Sequence, residues 1–287
     1  MITTILFQNF GPFKHLHIKL EPLTILCGDN GSGKSLIWNT ILSVRDSLSN
    51  DKYSLVNLYK NNCHKDTISL IKFNIKIVKN SLEYNLLKFL IIDENIENDF
   101  TIELTFTFYK KYSLYEDIDL GLVIKIKEFP QIHICNKKFL YIIGYIFKGY
   151  YTKEIKCYGD YEFDNNIVKN NIILNHPETG YHPNVQLQIA DHILYLMKHN
   201  KNIIVETHSD HIINRLMRRV NEDIDSYIID NTVIYNLSGK DNVKCEEVKI
   251  GQYGIADWPN GFFDQVADEA SKTIMAGIAK SKILRGE

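Results

Sequence analysis

Hydrophobic and polar positions change period along this chain. Phe73, Ile75 and Ile77 alternate with Lys72, Asn74 and Lys76, and Ile102, Leu104, Phe106 and Phe108 alternate with Thr101, Glu103, Thr105 and Thr107. A period of two marks half-buried antiparallel strands. Thr3 to Phe7, His15 to Leu20 and Thr24 to Cys27 are shorter strand-like runs, with Asn9 to Phe13 turning between the first two. Leu120 to Ile126 reads as another strand, and Ile132 to Ile143 as a strand or a buried helix segment. Helical spacing appears at Ile37, Ile41, Val44 and Leu48, then at Leu187, Ala190, Ile193, Leu194 and Met197, and at Ile212, Ile213, Leu216, Met217 and Val220. In the tail Phe263, Val266, Ala270, Ile274 and Ile278 line a face that either covers a sheet or meets a partner. Residues 49 to 67 are polar, rich in Asn and Lys, and without a period, so they read as a loop or insertion.

The order of these runs predicts an α/β fold. Ile172 to Leu174 is a short apolar strand ending at Asn175-His176-Pro177-Glu178 and followed by a helix. Ile203 to Val205 is another, ending at Glu206-Thr207-His208-Ser209-Asp210 and again followed by a helix. Strand, polar end, helix, repeated, is the grammar of a parallel sheet whose functional groups gather at the C-terminal strand edges. Those edges are expected to converge on residues 28 to 35. There Gly28, Gly33, Lys34 and Ser35 fit the pattern G-x-x-x-x-G-K-[ST], after an apolar strand and before a helical pattern. Residues without Cβ let the backbone curl until successive N–H groups point at phosphate oxygens, and the following helix adds its positive N-terminal end. This is a nucleotide phosphate loop. Asn30, Gly31, Gly33, Lys34 and Ser35 are the nucleotide-binding candidates, Lys34 for the β and γ phosphates and the Ser35 hydroxyl for Mg²⁺.

Composition removes several alternatives. With 287 residues, 45% of them hydrophobic, the chain is long enough for one large α/β domain or one domain with a small lobe. Lys and Arg total 33 against 35 Asp and Glu, so no global positive excess advertises nucleic acid, although DNA contact through a local patch stays open. The aromatics of residues 139 to 163 read as core strand positions rather than a base-stacking surface. Five cysteines without a C-x-x-C pair argue for reduced thiols in a cytoplasm. The first ten residues read as a strand, too short and polar for a signal peptide, and no run approaches a membrane span of roughly twenty apolar residues.

Phe10-Gly-Pro-Phe-Lys14, Pro22-Leu-Thr24, Pro177-Glu-x-x-x-His182-Pro183 and Val205-Glu-Thr-His-Ser-Asp-His211 together resemble ATP-binding-cassette (ABC) ATPases of the RecF and OLD (overcoming lysogenization defect) kind. Asp257-Trp-Pro-Asn-Gly-Phe-Phe-Asp264 resembles the C-terminal segment of a bacterial subgroup of AAA family ATPases often met near phage-defence genes. The resemblance covers residues 1 to 48 and 171 to 266. It implies a single P-loop ATPase head, with residues 1–48 and 171–287 as nucleotide-binding core and residues 49–170 as an inserted β-rich lobe. ATP and Mg²⁺ are the implied ligands. His208 falls where these ATPases place a histidine that senses the γ-phosphate, beside the alternative of a His-Ser-Asp turn capping the next helix. Glu178 is the implied water-polarising or metal-supporting carboxylate, or else a group that holds the strand-to-helix turn. The implied partner is a second head, as homodimer or hetero-oligomer, with an effector protein.

The chain also departs from the pattern. Asn175 and His176 stand where such ATPases carry acidic residues, so Asn175 would offer Mg²⁺ only a neutral carbonyl. No Ser-Gly signature precedes that strand. Leu237-Ser-Gly-Lys240 has its letters but lies between two strand-like runs, Thr232 to Tyr235 and Val243 to Ile250, and reads as a hairpin turn. The glutamine usual in these ATPases has only Gln131 as a candidate. Asp223-Ile-Asp225 sits at a helix end and does not read as a Toprim nuclease, and long heptad arms of the SMC (structural maintenance of chromosomes) kind are absent. Two readings follow. One is a cytoplasmic, nucleotide-gated ATPase switch in anti-phage defence or DNA maintenance, with hydrolysis weak or shared with a partner. The other is a pseudo-ATPase scaffold subunit.

Overall fold

The computed structural model describes residues 1–49, 67–79, 98–110, 118–127, 137–153, 170–255 and 265–285, with isolated residues between these stretches. The chain opens with β1 (Ile2–Phe10), β2 (Phe13–Lys19) and β3 (Leu23–Gly28), then α1 (Lys34–Ser49). The alternating stretches form β4 (Ile68–Ile77) and β5 (Phe100–Lys110), followed by β6 (Ile118–Ile126). Next come α2 (Lys137–Lys148), β7 (Tyr150–Thr152) and a small ladder of β8 (Cys157–Tyr158) with β9 (Glu162–Phe163). The second half runs β10 (Asn171–Asn175), α3 (Pro183–Lys198), β11 (Asn202–Glu206), α4 (Asp210–Glu222), α5 (Tyr227–Asp230), β12 (Thr232–Ser238) and β13 (Lys244–Val248). A short pair, β14 (Ile250–Gly251) and β15 (Gly254–Ile255), precedes α6 (Gln265–Arg285).

Two sheets carry the architecture. An antiparallel sheet of five strands has the order β2-β1-β4-β5-β6, and a sheet of six has the order β13-β12-β3-β11-β10-β7. In the second, β12, β3, β11, β10 and β7 run parallel and only β13 is reversed. Of the N-terminal strands β1 and β2 therefore share a sheet with β4 to β6, while β7, from within residues 49–170, edges the parallel sheet. Described strands of the stretch anticipated as an inserted lobe thus pair with strands of both sheets.

Strand alternation puts successive side chains of the parallel sheet on opposite faces. Leu26, Ile173, Ile204 and Tyr235 look toward α1, α2 and the antiparallel sheet, and pack with Ile37, Ile41, Phe73 and Phe147. Ile25, Ile172, Leu174, Ile203, Val205 and Ile234 look the other way, onto Ile193 and Met197 of α3 and Ile213 and Leu216 of α4. The Phe73 and Phe147 rings meet edge-on at 5.3 Å, tying β4 to α2. Arg215 and Arg219 of α4 grip Asp191 of α3 at 2.9 and 2.7 Å. The segment at 132 to 143 resolves partly in favour of helix: α2 begins at Lys137, because an apolar run of that length has no period that separates the two states. Gln131 and most of the Asp257 to Asp264 segment lie outside the described residues. No helix among the described residues is long and apolar enough to cross a membrane.

Candidate functional site

The parallel order places the ends of β3, β11 and β10 side by side, and the loop from β3 to α1 bends over them. Gly28, Gly31 and Gly33 adopt φ values of +115°, +82° and +89°, which L side chains rarely take. A Cβ on Gly28 would lie 2.0 Å from the Leu237 carbonyl oxygen of β12, and one on Gly33 would lie 2.6 Å from the Phe13 ring and 2.7 Å from Pro12. The Phe10-Gly-Pro-Phe13 turn thus presses on the phosphate loop. On its other side the turn after β12 holds the loop: Asp29 N–H donates to the Leu237 carbonyl at 2.9 Å, and Gly239 N–H donates to Asp29 Oδ2 at 2.9 Å. Leu237-Ser-Gly-Lys240 belongs to the hairpin of β12 and β13, with Ser238 opposite Lys244, as the spacing predicts.

Lys34 is 2% exposed, and its Nζ donates to the carbonyls of Gly28 at 3.1 Å and Asp29 at 2.6 Å. Burial is the largest influence on its ammonium and pulls it below its ordinary value, against Glu206, Cys27 and Asp29, which push it up. At the start of α1, Ser35 Oγ donates to Glu206 Oε1 at 2.9 Å, and one turn on, Trp38 Nε1 donates to Glu206 Oε2 at 2.7 Å. Glu206 closes β11, is only 3% exposed, and stands in register with Leu26 of β3 on one side and Asn175 of β10 on the other.

His176 and His208 roof this floor. Their rings stack at 5.0 Å and 10°. His176 adopts a left-handed backbone, φ +45°, and its N–H donates to the Glu206 carbonyl at 2.9 Å. Its ring nitrogens lie 3.5 Å from Glu178 Oε1 and 3.6 Å from Glu206 Oε1, beyond good hydrogen-bond length. Partial desolvation, then Lys34 and His176, hold the His208 imidazole below its ordinary value, which favours the neutral ring with one N–H to donate. Glu178 stands behind: its Oε1 accepts from His208 N–H and its Oε2 from Thr207 Oγ, each at 2.8 Å. Ser209 caps α4 through Ile212 N–H at 3.1 Å, so the sequence carries both the cap and a site histidine.

A cavity of about 370 Å³ is lined by Asn30, Gly31, Gly33, Lys34, Ser35, His176, Glu206 and His208, among others. All five nucleotide-binding candidates line it, and His208 joins them. Asn175 and Glu178 do not line it: the Asn175 side chain is exposed at the outer strand end, and both Glu178 oxygens are engaged by the 207–208 segment. Glu206, read only as part of a strand end, is the carboxylate that reaches Ser35; the signal was an acidic residue closing an otherwise apolar strand. A larger cavity of about 480 Å³, lined by Lys76, Tyr145, Asn171 and Asn202 among others, lies at the opposite end of the parallel sheet, where β10 and β11 begin.

The arrangement fits a nucleotide with Mg²⁺. Gly31 leaves open space where a Cβ would stand, and Ser32 Oγ is buried without a hydrogen-bond partner. Ser35 and Glu206 offer the short set of hard oxygens that Mg²⁺ takes beside phosphates, rather than a protein cage. No group of three or more His, Cys, Asp or Glu among the described residues is placed to hold a metal by itself.

No family model and no curated protein matches the chain. Solved structures do. The Smc head domain with an extended coiled coil from Pyrococcus furiosus, bound to the C-terminal domain of ScpA, aligns over 97% of this chain and 99% of its own, at 10% identity and a TM-score of 0.52. The SMC head of Thermotoga maritima aligns over 87% and 99%, at 9% identity and 0.48, and an SmcHead bound to the C-winged helix domain of ScpA over 87% and 98%, at 13% and 0.46. The chain has the fold of an ABC-type ATPase head. On this head the phosphate loop, Glu206 and His208 occupy the C-terminal edge of the parallel sheet, where an open α/β sheet places its ligand.

Proposed function

We propose that this head binds Mg-ATP and works as a nucleotide-gated switch, closing on a second head or a partner. The observation that carries the reading is one cavity in which loop backbone, Lys34, Ser35, a buried carboxylate and His208 converge. Lys34 supplies the fixed positive charge, the loop N–H groups and the start of α1 supply the anion cradle, and neutral His208 supplies a donor at the opposite wall. Mg²⁺, when bound, would neutralise phosphate charge. The motif resemblance to RecF and OLD ATPases supports a setting in anti-phage defence or DNA maintenance. A protein partner agrees with the head fold, since the Pyrococcus head is bound to a ScpA domain.

Turnover by one chain alone is the weaker part of the ATPase reading. Asn175 brings no carboxylate, and Glu178 is tied to backbone and hydroxyl donors rather than turned to the cavity. These observations favour hydrolysis shared with a partner, and they keep a scaffold role as the second reading.

The test is calorimetric titration of the purified chain with ATP and Mg²⁺, beside Lys34→Ala, with mass measured in each state. Wild type is expected to bind, and Lys34→Ala to weaken binding by about 10- to 100-fold, the worth of a charge-assisted contact to phosphate. Mass doubling with ATP supports head-to-head closure. Binding without a mass change or turnover favours the scaffold reading, and no binding by wild type overturns the proposal.

A further inference from the structure

The carboxylate that a nucleotide-bound Mg²⁺ needs is absent from the strand where the motif pattern expects it. β10 ends in Asn175, whose exposed amide is outside the cavity. Its neighbour β11 lies directly beside the phosphate-loop strand, and the two run parallel with Glu206 in register with Leu26. Glu206 is therefore nearer to the loop than any residue closing β10 in the sheet order. Burying a carboxylate at 3% exposure is costly unless charge and hydrogen bonds offset it. The offsets here are pointed: Trp38 N–H takes one oxygen, and the other is directed to Ser35, whose hydroxyl is the Mg²⁺ ligand of phosphate loops.

We propose that Glu206 is the carboxylate of the Mg²⁺ site in this head, with Trp38 as the residue that positions it. The acidic function has moved one strand inward, from β10 to β11. A hard anionic oxygen beside the Ser35 hydroxyl is the pair Mg²⁺ prefers, with phosphates and water completing its shell. Trp38 Nε1 locks the side chain so that Oε1, and not Oε2, faces Ser35. The inference rests on the Mg-ATP reading above.

The experiment measures ATP affinity with Mg²⁺ and again in EDTA, for wild type, Glu206→Gln and Trp38→Phe, with thermal unfolding of each as a fold control. Wild type is expected to bind more tightly with Mg²⁺. For Glu206→Gln the ratio of its affinities with Mg²⁺ and in EDTA is expected to fall to within about twofold, because the amide has no charge to offer the metal. Trp38→Phe is expected to cut the gain by about tenfold or more, as loss of a group orienting a metal ligand does. A purely structural Glu206 would leave the gain intact in any variant that folds. Glu206→Gln with the full gain overturns the inference, and if that variant does not fold, an undiminished gain in Trp38→Phe overturns it. Absence of ATP binding by wild type overturns the Mg-ATP reading and this inference with it, a result distinct from binding that keeps its Mg²⁺ gain.

Discussion

The end of β3 and the ends of β10 and β11 face one cavity but are built differently. At β3 the groups aimed at the ligand are largely backbone, and their geometry is set by glycines at φ +115°, +82° and +89°, of which Gly28 is wedged against Leu237 and Gly33 against the Pro12-Phe13 turn. At β10 and β11 they are side chains: His176, Glu206 and His208. A backbone cradle cannot relocate without moving the strand and helix that form it. A side-chain function can pass to the next strand, about 4.8 Å away, and still reach the same point. The loop consequently keeps its motif while the neighbouring edge departs from it.

The largest effect is expected where the backbone has no slack. Gly28→Ala forces a Cβ to 2.0 Å from the Leu237 carbonyl at a φ that disfavours it, and no flexible side chain is there to yield. A loss of roughly 2–5 kcal/mol in unfolding free energy is expected, by combined strain and overpacking. Gly31→Ala is the control: its Cβ meets nothing within 4 Å, so only backbone strain of about 1–2 kcal/mol remains. Denaturant unfolding of the two variants decides; equal midpoints would mean that the loop is not held against β12.

The same division explains what could be read in advance. The alternation of Phe73, Ile75 and Ile77 placed β4, and Ile212, Ile213, Leu216, Met217 and Val220 are all buried on α4 as their spacing requires. Gly28 to Ser35 was legible because its chemistry depends on residue types at fixed offsets. Glu206 was not, since linear spacing cannot tell which strand lies beside β3; the order β3-β11-β10 can. Trp38 was hidden for a related reason, as its partner is far along the chain and its indole N–H is silent in a hydrophobic pattern. The tail face was legible as a face but not its covering: Phe263 packs against the core, whereas Ile274 and Ile278 are 63% and 49% exposed on α6, so that end of the face does not cover the sheet.

A smaller effect is expected at Glu178, where the comparison separates a group that holds the site from one that acts in it. Both its oxygens accept hydrogen bonds, from Thr207 Oγ and His208 N–H. Glu178→Gln turns an amide donor toward one of those donors, and a loss of about 1–3 kcal/mol in stability is expected for the broken contact. ATP affinity is expected to fall with it, since His208 loses its anchor. Thermal unfolding and ATP titration read both. A variant as stable as wild type that has lost only turnover would instead make Glu178 the group that polarises water.

The smallest effect is expected from restoring the missing acid. Asn175→Asp puts a carboxylate where the motif pattern expects one, beside Glu206 in register but on an exposed strand end outside the cavity. A solvated charge there is screened and is not aimed at Ser35, so the gain in ATP affinity from Mg²⁺ is expected to change by less than about twofold. The double variant Asn175→Asp with Glu206→Gln carries the sharper test. If the inner strand alone reaches the metal, the double variant behaves as Glu206→Gln. If the new aspartate brings the Mg²⁺ gain back, the two strand ends are interchangeable, and the inward shift is a choice between equal positions rather than a consequence of where the cavity lies.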